Sequence, residues 1–168
     1  MKKLFTLALL GALLFCAPLV ASELVKLPDN CKELDLDMIS CPLAEDVSMD
    51  DAAESMRLRA NMLNFKLVAH MPLSEQVKAM GGKSERMEIF QFCDATIAAR
   101  MVDKSLAFAG FLPCRIALVS HQKKPYIVTI NMDKTLGRAK LPPDLKKLGL
   151  KVRNSIYSII SAGANGDL

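Results

Sequence analysis

Between Met49 and Leu63 the apolar side chains recur at three- and four-residue steps, at Met49, Ala52, Ala53, Met56, Ala60 and Leu63. That spacing predicts a helix with one buried face. Ser48 stands at the N-cap position, Asp50, Asp51 and Glu54 lie in the first turns, where the helix dipole favours negative charge, and Asp51, Glu54, Arg57 and Asn61 fall on the polar face. Upstream, Leu34-Asp35-Leu36-Asp37-Met38-Ile39 alternates and then turns apolar, which predicts a first strand ending near Cys41-Pro42. Downstream, Phe65 to His70 reads as a strand, Pro72 opens a short helix stopped by Gly81-Gly82, and Arg86 to Phe92 is another strand. Ala95 to Asp103 is helical, with Ile97, Ala98 and Met101 turned inward. Arg115 to Ser120 and Tyr126 to Met132 flank the polar segment His121-Gln122-Lys123-Lys124-Pro125 and form an antiparallel hairpin.

Past Asp133 the pattern becomes basic and loop-like, through Lys134, Arg138 and Lys140 to Pro142-Pro143. A last helix follows from about Asp144 to Ser161 on Leu145, Leu148, Val152, Ile156 and Ile159, with Gly163 placed to end it. Gly149 weakens its middle by roughly 1 kcal/mol relative to alanine. The order strand, helix, strands, helix, hairpin, helix defines an α+β domain, an antiparallel sheet with helices packed mainly on one face.

The ends change the picture of where the chain works. Lys2 and Lys3 precede an apolar run from Leu4 to Phe15, then Ala17 to Ser22 with small residues, the order of a secretory signal peptide. The run is 12 residues long, short of the roughly 18–20 that span a bilayer. Cleavage after Ala21 or Ser22 is expected, so the division is residues 1–22 leader, 23–35 irregular acidic lead-in, 36–162 one α+β domain and 163–168 tail. Phe15 before Cys16 disfavours a lipoprotein, because that position takes a small residue. The destination is the periplasm for a Gram-negative bacterium and otherwise the outside, with no stable membrane span after cleavage.

Charge adds a second clue. The formal net charge of +4 falls to +2 without Lys2 and Lys3, which gives nucleic-acid binding no support. Glu23 to Met56 carries ten acidic and two basic residues, whereas Arg57 to Leu168 carries eighteen basic and eight acidic. Such asymmetry can dock one part of a chain on another, on a second copy or on another exported protein, or remain solvated surface.

The segment Ile89-Phe90-Gln91-Phe92-Cys93-Asp94, its following helix, and the Phe111-Leu112-Pro113-Cys114-Arg115 loop feeding a hairpin resemble the signature of the domain-of-unknown-function family 302. The resemblance is strong from Met87 to Met132 and loose from Ile39 to Ile160. It implies an α+β sandwich of the broad TATA-binding-protein-like class, in β-α-β-β-β-β-α order with extra short helices, often dimeric, and no general activity. It implies no DNA binding either, since fold at this level does not carry function.

Chemistry concentrates on the four cysteines that survive leader removal. The economical pairing is Cys31–Cys41 within the lead-in and Cys93–Cys114 between core elements, each bridge worth about 2–4 kcal/mol in an oxidising compartment. Alternatively Cys93 and Cys114 converge as thiols beside Arg115, whose guanidinium would favour thiolate and so thiol exchange, sulfur-species capture or soft-metal binding. A third fate is inert burial. Asp94 is either an acid or base next to Cys93 or the N-cap of the helix starting at Ala95. His70 and His121 read as ordinary polar residues, and Met49, Met56, Met87 and Met101 as core, with a copper(I) thioether site the minor alternative. No nucleophile elbow, phosphate loop or His-Glu-x-x-His occurs.

The expectation is an exported, non-catalytic binding or accessory module with an unknown ligand or cofactor around Cys93, Cys114 and Arg115. A thiol-based redox or sulfur-transfer enzyme using Cys93 and Cys114, and a structural interaction protein, are the alternatives.

Overall fold

The computed structural model describes residues 24–167, so the expected leader, Cys16 included, lies outside the described residues. Six strands form one antiparallel sheet: β1 (Lys32–Leu34), β2 (Met38–Pro42), β3 (Lys66–Met71), β4 (Met87–Cys93), β5 (Cys114–His121) and β6 (Lys124–Ile130), in the order β1-β2-β6-β5-β4-β3. The helices are α1 (Met49–Met62), α2 (Leu73–Ala79), α3 (Ala95–Lys104), α4 (Met132–Arg138) and α5 (Pro143–Asn165), with a 3-10 segment at Leu106–Phe111. The α+β class is as the pattern of apolar positions predicts.

Strand alternation decides where the core lies. Phe90, Phe92, Ile116 and Leu118 are fully buried, while Gln91 and Ala117 between them are partly exposed and Arg115 is exposed. Ala52, Ala53, Met56 and Ala60 of α1 and Ile156, Ile159 and Ile160 of α5 join the same buried cluster, so these two helices lie across one face. The start of α1 is closed by a capping box, with Ser48 Oγ accepting from Asp51 N–H at 3.1 Å and Asp51 Oδ2 accepting from Ser48 N–H at 3.3 Å. Such a cap contributes about 1 kcal/mol.

Three local expectations are corrected. Leu34 to Ile39 is a hairpin and not one strand: Leu36 and Asp37 take φ of 60° and 55°, and Met38 N–H donates to the Asp35 carbonyl at 3.4 Å. Positive φ at both central residues gives the turn whose twist matches paired strands. Leucine is a poor residue there, and tertiary contacts hold it: Cys31 is bonded to Cys41 across the hairpin, and Asp37 pairs with Arg138 and, at 3.5 Å, with Lys134.

The second correction is that the basic stretch after Asn131 is α4, capped by Asn131 Oδ1 accepting from Lys134 N–H at 3.1 Å. Its apolar contribution is mainly Leu136, buried against α5 at Gly149. The third concerns Gly163, which lies inside α5; the helix ends at Gly166 with φ of 71°. A Cβ on Gly163 would stand 2.6 Å from Met56 Cγ, 2.9 Å from Ile127 Cδ1 and 3.2 Å from the Ala52 carbonyl oxygen. The glycine serves close approach of α5 to α1 and the sheet, not helix termination.

Part of the charge asymmetry is met within the chain: Glu33 meets Lys134 at 2.8 Å, Asp37 meets Arg138, and Asp50 meets Arg86 at 2.7 Å. Within the basic half, Asp133 meets Arg153 at 2.8 Å. Arg153, only 7% exposed, also donates to the Val25 carbonyl and to Asn154 Oδ1 at 2.9 Å, and its guanidinium lies 4.1 Å over the Tyr157 ring. The acidic lead-in is thus fastened to α4 and α5.

Candidate thiol site

β4 ends at Cys93 and β5 begins at Cys114, with Phe92 registered opposite Cys114, so the antiparallel pairing itself brings the two cysteines to one end of the sheet. Asp94 follows Cys93 and caps α3, its Oδ1 accepting from the N–H groups of Thr96 and Ile97 at 3.1 Å each. The capping role considered for Asp94 is therefore the one its geometry serves. α3 turns Ile97 and Met101 inward, and the 3-10 segment then carries the chain back through Leu112-Pro113 to Cys114.

These pieces enclose a cavity of about 80 Å³ lined by Cys93, Cys114, Met101, Met132, Phe108 and Leu136, among others, with Asp94 at its margin. A single water needs roughly 10–15 Å³ of such space, so the cavity has room for an ion or a small molecule. Cys93 and Cys114 are free thiols, which corrects the pairing in which they formed the second bridge; the bridge of the lead-in, Cys31–Cys41, is present.

The electrostatics differ from those of an activated thiol. Burial pushes the Cys114 thiol up to about 12, with the charge of Cys93 adding to the effect. Burial also raises Cys93, helped by the negative charge of Asp94. Arg115 is exposed, its position in the strand alternation putting it on the face opposite the buried Ile116, and it does not line this cavity. It lines a second depression, of about 300 Å³, that Cys114 shares with Gln91 and Thr129. Neither thiol is lowered by a guanidinium, so both stay protonated near neutral pH.

The histidines part company. His121 is exposed at the end of β5. His70 Nε2 lies 2.7 Å from Glu88 Oε2, and its ring stacks on Phe90 with centroids 4.5 Å apart. Glu88 is 8% exposed and also accepts from Arg86 Nε at 2.5 Å, while Arg86 reaches Asp50 at 2.7 Å. Sequence reasoning passed over this network, although strand parity places Glu88 with Phe90 and Phe92 on the inward side. It also passed over Met132 and Leu136 as cavity residues, because α4 went unseen. Among the described residues no group of three or more His, Cys, Asp or Glu is placed to hold a metal ion, and no helix is long and apolar enough to cross a membrane.

The chain is thus an α+β domain with a six-stranded antiparallel sheet, two helices across one face and a thiol-bearing apolar cavity where β4 and β5 meet α3. Residues 39–163 match the family described as Domain of unknown function DUF302, and the chain belongs to that family. It is similar in fold to the uncharacterized conserved protein DUF302 from Bacillus stearothermophilus, with a TM-score of 0.63, 17% sequence identity, and coverage of 76% of this chain and 98% of that one. At that identity the likeness speaks for fold alone. No curated protein matches the chain.

Proposed function

We propose that this is an exported, non-catalytic binding module whose ligand occupies the Cys93/Cys114 cavity. The observation that carries the reading is the combination of an apolar pocket with two free cysteines among its lining residues. Burial favours the neutral form of both, which suits holding a soft or apolar guest and opposes nucleophilic turnover. Export is supported by the Cys31–Cys41 bond, since disulfides persist mainly in oxidising compartments, and by the order of residues in the leader segment.

Native mass spectrometry of the protein purified from its own compartment tests this. The expected result is a mass above that of the chain alone, lost in the Cys93→Ser/Cys114→Ser variant. A bare chain mass, with nothing taken up from compartment extracts, would overturn it.

A further inference from the structure

Four sulfur atoms belong to the residues lining the one cavity: the thiols of Cys93 and Cys114 and the thioethers of Met101 and Met132. They come from four different elements, β4, β5, α3 and α4, so only the folded chain brings them together. We propose that this cavity is a site for a soft monovalent metal ion, copper(I), bound by the thiol sulfurs with the methionine thioethers completing the set. The inference rests on the binding reading above and names its ligand.

The donor chemistry selects the ion. Thioethers bind copper(I) well and are poor partners for zinc and for hard cations such as magnesium or calcium. The harder groups of the lining are partly committed elsewhere: Asp94 Oδ1 caps α3 while its Oδ2 lies 3.9 Å from Lys151 Nζ, and Thr135 Oγ1 donates to the Asn131 carbonyl at 3.1 Å. No histidine lines the space.

Charge is compatible with it: a divalent ion reaches neutrality only with both thiols deprotonated, copper(I) with one. Copper(I) and one thiolate sum to zero, which an apolar surrounding tolerates best. One of the two thiols ionises on binding: its S–H bond breaks, a Cu–S bond forms, one proton leaves to solvent, and copper remains copper(I). The other thiol, Met101 and Met132 then contribute neutral lone pairs.

The test is an anaerobic titration of the full chain, with Cys31–Cys41 intact, by copper(I) in competition with bicinchoninate, accompanied by copper-edge X-ray absorption. One copper per chain with sulfur-only scattering is expected. The Met101→Leu/Met132→Leu variant, which preserves apolar volume, should weaken binding by something in the 10- to 100-fold range typical of altered metal surroundings. Failure to compete for one equivalent, or an unchanged affinity in the double methionine variant, would overturn the assignment. Recovery of a different guest, lost on Cys93→Ser/Cys114→Ser, would leave the binding reading standing and remove copper alone. A cavity that takes up neither would end both.

Discussion

If the Cys114 thiol is held up to about 12 from an ordinary value of 9.0, its pH–rate profile in disulfide exchange must shift with it. The perturbation is unfolding: the Cys93→Ser variant, which leaves Cys114 as the lone free thiol among the described residues, is compared folded and in guanidinium. With the Cys93 charge gone only burial remains, so the shift is up to about three units and cuts the thiolate fraction near neutral pH by up to roughly 1000-fold. A more basic thiolate is the better nucleophile, and a Brønsted coefficient of about 0.4–0.5 returns roughly 15- to 30-fold of that loss. The net slowing is at most about 30- to 60-fold before access is counted. The assay is reaction with 2,2′-dithiodipyridine followed by absorbance. Restricted access scales every rate alike, so the shape of the profile isolates the electrostatic part. The unfolded chain should level off near pH 9, whereas the folded chain should keep rising to the alkaline limit of its stability. A folded-state plateau at or below pH 9 would refute the reasoning and restore the redox enzyme as a candidate.

Other outcomes follow from particular contacts. Gly163→Ala gains about 1 kcal/mol of helix propensity but forces a methyl against Met56, Ile127 and the Ala52 backbone, and overpacking of that kind costs about 1–3 kcal/mol, so urea denaturation should show a net loss. Gly137→Ala, whose Cβ meets nothing within 4 Å, should instead stabilise by up to about 1 kcal/mol; equal shifts in the two variants would show that close approach is not what keeps Gly163. Replacing Cys31 and Cys41 by alanine opens a loop of sequence separation 10 and should cost about 2–3 kcal/mol, read from the urea midpoint, with an unmoved midpoint counting against it. Burial alone would raise the Glu88 carboxyl, but the hydrogen bonds and charges of His70 and Arg86 outweigh it and hold the group below its ordinary 4.5. Its contribution to stability is therefore complete above pH 4.5 and lost as pH falls through the lower folded value. Glu88→Gln should flatten the acid limb of a stability-against-pH curve, and identical limbs would exclude the network as its source.

Long elements that bury a full stripe were legible in the chain. Helix α1 announced itself through Ser48, its acidic first turn and five apolar steps; β4 and β5 did so through Phe90, Phe92, Ile116 and Leu118, and both cysteines of the cavity fell out of that register. The failures share a cause, which is that local pattern was overruled by contacts distant in sequence. Leu36 adopts a positive φ because a disulfide and the Asp37 pairs with α4 hold the turn, and nothing between Leu34 and Ile39 encodes those partners. Helix α4 is short, largely polar and interrupted by Gly137, so its one visible signal was the Asn131 cap. Gly163 looks like a stop in one dimension and is a contact point in three. Arg115 illustrates the limits of adjacency: although next to Cys114 in a strand, it is not among the residues lining the cavity that both cysteines line.

Helix α4 supplies Met132, Thr135 and Leu136 to the lining of the cavity, yet at seven residues it is too short to persist by itself. It is tethered to the β1–β2 hairpin through Glu33 and Asp37, and that hairpin is in turn locked by Cys31–Cys41. Exposed ion pairs weaken as salt rises, and the lock dissolves under reduction. The wall that α4 gives the cavity therefore depends on the medium: reducing, saline conditions should loosen it.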